Sequence, residues 1–261
     1  FFYHGLVKAD GGLPIGTEGV AVALVSGGFD SAVAAWLVAR RARTVALTMW
    51  VLPQQDLEPA RRVARQLGMP HRVVDLRDEF EREVVEPFCR GYLEGRTPNP
   101  CLACNRLLKF GRLLEAARSL GAGRLATGHY ARVEFDPRRS SQRPRRGRDP
   151  RRDQSYFLYG LRQDQLARAM FPLGGMTKEE VREVARRLGL EASEAPESRE
   201  VCFVPGGDYA AFIGRREPRA LEPGPIVDTA GRFLGWHRGV VRYTVGQRKG
   251  LGLAARRRLY V

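Results

Sequence analysis

Two short stretches hold most of the reactive side chains in this chain, one built on serines and glycines and the other on cysteines. Cys101 and Cys104 form a C-x-x-C inside Thr97-Pro98-Asn99-Pro100-Cys101-Leu102-Ala103-Cys104-Asn105, where two prolines stiffen the approach to the thiols. Rigid presentation suits a reacting thiol. The same spacing is half of a zinc site, but a second C-x-x-C is missing and none of the four histidines lies near it in sequence. A thioredoxin-like dithiol asks for a strand-then-helix context that the flanking residues lack. Cys202 stands alone in Ser198-Arg199-Glu200-Val201-Cys202-Phe203-Val204. By itself, a cysteine between Val and Phe reads as a small core hydrophobe. Cys89, in an amphipathic stretch, reads as structural.

The second stretch follows an apolar run, Val20 to Val25, that breaks at Ser26-Gly27-Gly28-Phe29-Asp30-Ser31. Two glycines allow positive φ and let backbone amides face a ligand, and Ser26 and Ser31 add hydroxyls. A helix expected from Ala32 to Arg41 points its positive end at the same place. The chain has no Walker-type G-x-x-x-x-G-K-S/T near this turn. Ser-Gly-Gly-x-Asp-Ser instead resembles the pyrophosphate loop of the ATP-pyrophosphatase superfamily, whose members adenylate an oxygen and expel pyrophosphate. The plain alternative is a Gly-rich corner of a parallel sheet.

The elements needed to position these groups alternate. Strands are expected at Val20 to Val25, Thr44 to Trp50, His71 to Asp75 and Arg124 to Thr127. Helices are expected at Glu58 to Leu67, at Asp78 to Tyr92 despite Pro87, and at Lys109 to Leu120. A further helix from Thr177 to Leu188 starts on a capping box of Thr177 and Glu180. Alternation with short links means an α/β fold, a parallel Rossmann-like sheet with ligands at the carboxyl ends of its strands. Residues 1–19 read as an extension and 20–204 as the catalytic domain. Within that domain residues 136–152, with neither aromatic nor aliphatic side chains, read as a mobile basic loop. Residues 205–261, where Gly and Pro rise and helical periodicity fades, read as a smaller, partly β region.

The 261 residues carry 44 Lys and Arg against 29 Asp and Glu, a formal charge of +15 that favours a polyanionic partner, nucleic acid foremost. An Arg-rich composition spread over every helix gives the same excess without any partner. No apolar run is long enough to span a bilayer and no signal-like segment opens the chain, so a cytoplasmic protein without membrane attachment is expected. Four cysteines are too few for a disulfide scaffold.

Seven blocks in order resemble one family, the tRNA-specific 2-thiouridylases: Ser26 to Ser31, Thr97 to Gly111, Ala126 to Arg132, Asp153 to Leu158, Phe171 to Leu173, Ser198 to Val204 and Tyr243 to Gly252. The resemblance implies 2-thiolation of the wobble uridine of tRNA, with ATP and Mg²⁺ activating the base. It implies that Leu24, Val25, Ser26, Gly27, Gly28, Phe29, Asp30 and Ser31 cradle ATP, with Met49 and Gly128 nearby. Cys104 matches the nucleophile and Cys202 the persulfide-bearing cysteine, loaded by a sulfur-donor protein and ending as a disulfide with Cys104. Asp30 is read as a metal-binding or loop-shaping carboxylate. Asn99, Pro100 and Cys101 match the stretch that meets the target base, where many members have Asp in place of Cys101. His129, Arg152, Asp153 and Gln154 match tRNA-contacting positions. The family continues into a C-terminal β-barrel, expected to be absent here because the sequence stops near Ala254 to Val261. Three other readings compete. In one, Cys101, Cys104 and Cys202 hold a 4Fe-4S cluster. The second is an ATP-pyrophosphatase-type ligase acting on a small molecule, and the third a shortened, non-catalytic RNA-binding relative.

Overall fold

The run Val-Ala-Val-Ala-Leu makes β1 (Val20–Leu24), whose middle three residues are buried on both faces, as an unalternating apolar strand requires. In the computed structural model, which describes residues 19–190, 201–254 and 257–261, β1 lies at the centre of a five-stranded parallel sheet. Its partners are β2 (Arg43–Trp50), β3 (His71–Asp75), β4 (Ala122–Ala126) and β7 (Ala169–Met170), in the order β3-β2-β1-β4-β7. β1 pairs in parallel with β2 on one side and β4 on the other. The direction of winding therefore reverses at β1, and the crevice beyond the carboxyl ends of β1 and β4 is the place where such sheets bind ligands.

Helix α1 (Phe29–Ala39) packs on this sheet through Ala32, Ala35 and Val38, which meet Ala21, Ala23 and Ala46. Small side chains on both surfaces permit a close approach. Helix α2 (Glu58–Gln66) adds Ala60, Val63 and Ala64 to the same cluster. Farther along, α5 (Lys178–Arg187) sets Val181 and Ala185 against Val33 and Ala34 of α1. Complete burial of Val181 is worth about 1.5–3 kcal/mol. The expected capping box is present, with Glu180 N donating to Thr177 Oγ1 and Thr177 N donating to Glu180 Oε2.

The chain divides into two compact units, Phe1–Asp78 with Leu102–Pro196, which contains the sheet, and Glu79–Cys101 with Glu197–Val261. The second unit holds α3 (Glu86–Leu93), α6 (Tyr209–Arg216) and an antiparallel hairpin of β8 (Gly224–Val227) and β9 (Phe233–His237). Its core is aromatic: Phe203 contacts Phe80, Phe88 and Phe212, and Tyr92 stacks on Tyr209.

Four sequence expectations need correction. First, α1 begins at Phe29 rather than Ala32, since extended Gly28 caps it and Asp30 suits the first turn of a helix. Second, the helix expected from Lys109 starts at Pro100. It runs through an α turn (Pro100–Ala103), a π-helical stretch (Cys104–Arg112) and α4 (Leu113–Ser119). Asn99 Oδ1 accepts from Cys101 N at 3.1 Å, and Pro100 follows it as a proline well suited to a first helical position. The prolines open a helix instead of stiffening a loop. Third, the basic segment 136–152 is not a structureless loop. β5 (Ala131–Asp136) and β6 (Ser141–Arg146) pair as an antiparallel ribbon, and opposite charges face one another at Arg143–Asp136 and Arg145–Glu134, both at 3.0 Å. A two-stranded ribbon satisfies its backbone without an apolar face, and cross-strand ion pairs replace the missing aliphatics. Within the same segment Asp149 is buried, its carboxylate accepting from the backbone N–H groups of Arg151 and Lys178. Fourth, α6 forms beyond Pro205 because Asp208 Oδ1 caps it from Ala211 N at 2.8 Å. The expected extension 1–19 falls, save for Gly19, outside the described residues.

Candidate functional site

The β1–α1 corner is held by its own hydroxyls. Ser31 Oγ accepts from Ser26 N at 3.1 Å and donates to Gly28 O at 2.8 Å, and Ser26 Oγ lies 3.2 Å from it. Ser31 therefore spends its proton inside the turn, and the exposed Ser26 hydroxyl is the outer one. Gly27 has φ +89°, and a Cβ there would stand 2.5 Å from Pro59 Cβ at the start of α2, so no other residue fits. Gly28 differs: its φ is ordinary, and a Cβ would meet nothing nearer than Ser26 Oγ at 3.8 Å. Gly28 is the N-cap of α1, whose first-turn amides have no intrahelical acceptor. Gly128, just past β4, packs on the backbone of Asp30 and Ser31, where a Cβ would come within 3.1 Å of both. The two strand ends flanking the switch point thus close on one another.

Behind the turn, the last carbonyl of this strand path is also secured. Val25 O accepts from buried Thr48 Oγ1 at 2.7 Å, and Thr48 Oγ1 in turn lies 2.8 Å from His71 Nε2. Burial, followed by the Arg61 charge, holds the His71 imidazole below its ordinary pKa. With Thr48's proton on Val25 O, the neutral ring donates from Nε2. Leu24 is half-buried at the end of β1, and Met49 is half-buried near the end of β2, its carbonyl accepting from Gln55 Nε2 at 2.9 Å.

Asp30 anchors the turn to the rest of the unit. Its Oδ1 accepts from Tyr130 Oη at 2.7 Å and its Oδ2 from Lys178 Nζ at 2.6 Å. Lys178 is 2% exposed, and its ammonium lies 4.0 Å from the centre of the Phe29 ring. A lysine in the first turn of a helix opposes the helix dipole, where acidic residues are favoured. That misplaced charge was the one signal in the sequence for Lys178, and sequence reasoning passed over it. Tyr130 was likewise missed. With both oxygens of Asp30 engaged, the geometry favours its loop-shaping role over metal binding.

The remaining β4 exit residues turn inward. His129 Nδ1 lies 2.7 Å from Thr127 Oγ1, and its ring packs against Phe110 and Phe171, which also contact each other. Burial, reinforced by the Lys109 charge, holds its pKa well below the ordinary histidine value, so the imidazole is neutral at pH 7. Gln154 brackets Tyr130, accepting from its N–H through Oε1 and donating backbone N–H to its carbonyl. Asp153 accepts from Gly147 N, Ser155 N and Ser155 Oγ; burial pushes its pKa up, but these donations outweigh it and hold the carboxyl below the usual range. Arg152 is half-buried, its backbone N–H donating to Asp149 O.

The thiols are distributed between the units. Asn99, Pro100 and Cys101 lie in the second unit, with Cys101 exposed, and Cys104 is half-buried on the π-helical stretch in the first. That stretch runs past His129 through Phe110. Next to Cys104, Asn105 is buried; its Nδ2 donates to Phe157 O at 3.1 Å and its Oδ1 has no hydrogen-bond partner among the described residues. Cys202 is exposed while neighbouring Phe203 is buried in the aromatic core of the second unit, so it is not the core hydrophobe its neighbours suggested. Ser198–Glu200 of that block lie outside the described residues. Cys89 is buried, and burial raises its thiol pKa, as expected of a structural cysteine. Within either unit, no three His, Cys, Asp or Glu side chains among the described residues gather as a metal-binding set. No described helix is long and apolar enough to cross a membrane.

Residues 18–206 match the family model described as the tRNA methyl transferase HUP domain, and residues 210–261 match the tRNA methyl transferase PRC-barrel domain. The tRNA-specific 2-thiouridylase MnmA of Syntrophomonas wolfei is 52% identical over 239 residues, covering 91% of this chain and 70% of that protein. Its counterpart in Desulforudis audaxviator is 52% identical over 243 residues, covering 93% and 70%, and that of Heliobacterium modesticaldum 48% over 252, covering 91% and 65%. The chain thus spans about two thirds of the length of the curated relatives it matches. Identity at this level over almost the whole chain, carried on a sheet whose switch point bears the Ser-Gly-Gly-Phe-Asp-Ser turn, means that the chain belongs to the tRNA-specific 2-thiouridylase family.

Proposed function

We propose that this chain catalyses ATP-dependent 2-thiolation of the wobble uridine of tRNA. One observation supports the reading above the rest: the Ser26–Ser31 corner, shut by Gly128 at the sheet's switch point, presents helix-terminal amides to an anion in a chain of the 2-thiouridylase family. A uridine C2 oxygen is a poor leaving group. Attack of that oxygen on the α-phosphorus of ATP gives an O-adenylated base and releases pyrophosphate, whose charge the Gly27–Ser31 amides are suited to hold. Since Asp30 already accepts from Tyr130 and Lys178, Mg²⁺ would be carried chiefly by the phosphates.

In the sulfur step the terminal sulfur of a Cys202 persulfide bonds to C2, and AMP leaves with the oxygen. Cys104 thiolate then attacks the Cys202 sulfur, breaking its bond to the transferred atom; 2-thiouridine leaves and a Cys104–Cys202 disulfide remains. An external thiol reductant restores both cysteines, and a persulfide-donating protein reloads Cys202. The exposure of Cys202 supports loading from outside. Purified chain, incubated with tRNA, ATP, Mg²⁺ and a persulfide donor, should form AMP, pyrophosphate and 2-thiouridine in equal amounts. Thiolation that required bound iron, or ATP cleavage indifferent to tRNA, would refute this reading.

A further inference from the structure

The Asp153–Leu158 motif raises a question that its first residues do not answer: Asp153 and Gln154 turn their side chains inward, so what does this turn show to the outside? It shows two tyrosines. Tyr156 and Tyr159 are 62% and 64% exposed, and their rings lie 5.7 Å apart at 47°. Ser155–Leu158 is a single 3-10 turn capped by Tyr159, and residues three apart in such a turn eclipse, so both rings stand on one face. Leu158, fully buried, fixes the turn from beneath.

Hydrogen bonds set this turn between two other features of the same unit. On one side Asn105 Nδ2 donates to Phe157 O at 3.1 Å, which ties the turn to the helix carrying Cys104, and Gln165 of the next helical turn, Gln163–Leu166, donates through Nε2 to Arg106 O and Phe110 O of the same helix at 2.9 and 2.8 Å. On the other side, Gln142 N donates to Gln163 Oε1 at 2.7 Å and Gln163 Nε2 to Gln142 O at 3.0 Å. Those bonds join the Gln163–Leu166 turn, which follows the tyrosines in the chain, to the β5–β6 ribbon, where residues 131–152 hold nine arginines and three carboxylates. Two rings held in water waste apolar area that burial would reward. Exposed aromatics on a rigid turn, beside excess arginine, are what single-stranded nucleic acid uses for stacking and charge neutralisation.

We propose that Tyr156 and Tyr159 form a stacking platform for an unpaired RNA base next to the one being modified, with the β5–β6 ribbon neutralising the adjoining phosphates. This rests on the thiolation reading but is tested by binding alone. The full chain is titrated into a fluorescently labelled anticodon stem–loop without ATP, followed by anisotropy. Replacing both tyrosines by alanine should raise Kd about tenfold or more, the loss of at least one base–aromatic stack, while Y156F/Y159F stays within about twofold. The salt dependence of the alanine variant should match the wild type, whereas R138Q/R139Q, at exposed arginines between β5 and β6, should lower the slope, by up to about two for two lost phosphate contacts. Thiolation by the alanine variant should show a raised KM for tRNA with kcat retained. An alanine variant with native circular dichroism that binds the stem–loop as tightly as wild type would overturn the platform and leave the thiolation reading standing. A wild-type chain that binds no stem–loop at low salt would overturn both.

Discussion

Breaking the Asp30–Lys178 pair from its two ends should give unequal results, because the partners are unequally buried. Lys178 is 2% exposed, whereas the Asp30 side chain retains 31%. Lys178→Met leaves a carboxylate that water reaches and that Tyr130 Oη still donates to, so the expected cost is about 1–2 kcal/mol. Asp30→Asn keeps the shape but removes a carboxylate from beside an ammonium that is 2% exposed, so it should cost more, about 3–5 kcal/mol. In the double variant neither charge remains, and its cost should fall below the sum of the single costs by about 2 kcal/mol or more. Urea unfolding of the four proteins, monitored by circular dichroism, measures the cycle. Costs equal within about 0.5 kcal/mol, or additive to that degree, would show that the ammonium depends on Asp30 no more than Asp30 depends on it, and would refute the reasoning.

Other outcomes follow from the same geometry. Gly27→Ala forces φ +89° on an alanine and drives its Cβ into Pro59, so it should cost at least about 1–3 kcal/mol and abolish ATP turnover. Gly28→Ala meets no clash; its unfolding midpoint should barely move, while pyrophosphate release falls, as measured by a coupled phosphate assay. Cys104→Ser and Cys202→Ser should each abolish 2-thiouridine by mass spectrometry of tRNA digests while pyrophosphate release continues, since adenylation comes first. His129 and His71 are both depressed below the ordinary histidine value by burial. The unfolded chain therefore binds more protons below about pH 6.5, and stability, full above that, should fall on acidification by up to about 1.4 kcal/mol per pH unit for each histidine. Urea midpoints between pH 7.5 and 5.5 should show this slope, and His129→Gln should flatten it.

The alternation of apolar runs with amphipathic ones is enough by itself to indicate a parallel α/β sheet and to put the Ser-Gly-Gly turn at a strand end. Local chemistry sufficed there: burial on both faces demands an unalternating strand, and Thr177 with Glu180 announces a helix start whatever surrounds it. The same local logic failed where distant partners decide the outcome. Residues 136–152 looked incapable of order because the partners that order β6 lie outside that segment, in β5 before it and at Gln163 after it. Proline-rich Thr97 to Cys101 looked like a stiff loop because the Asn99 cap becomes visible only once the helix it starts is seen.

For the site, the sequence determined which residue types were present and tertiary structure decided what they do. Ser31 and Asp30 were legible as members of the turn, yet the Ser31 hydroxyl proves to fasten it internally and the Asp30 carboxylate to tie it to Tyr130 and Lys178. Lys178, 148 positions from Asp30, could not be assigned to it from spacing, because an ion pair depends on distance in space and on the solvent shut out around it. The inward turn of Asp153 and Gln154, and the outward turn of Tyr156 and Tyr159, belong to that second kind of fact. Burial is a property of the packed chain, and a string of residues does not contain it.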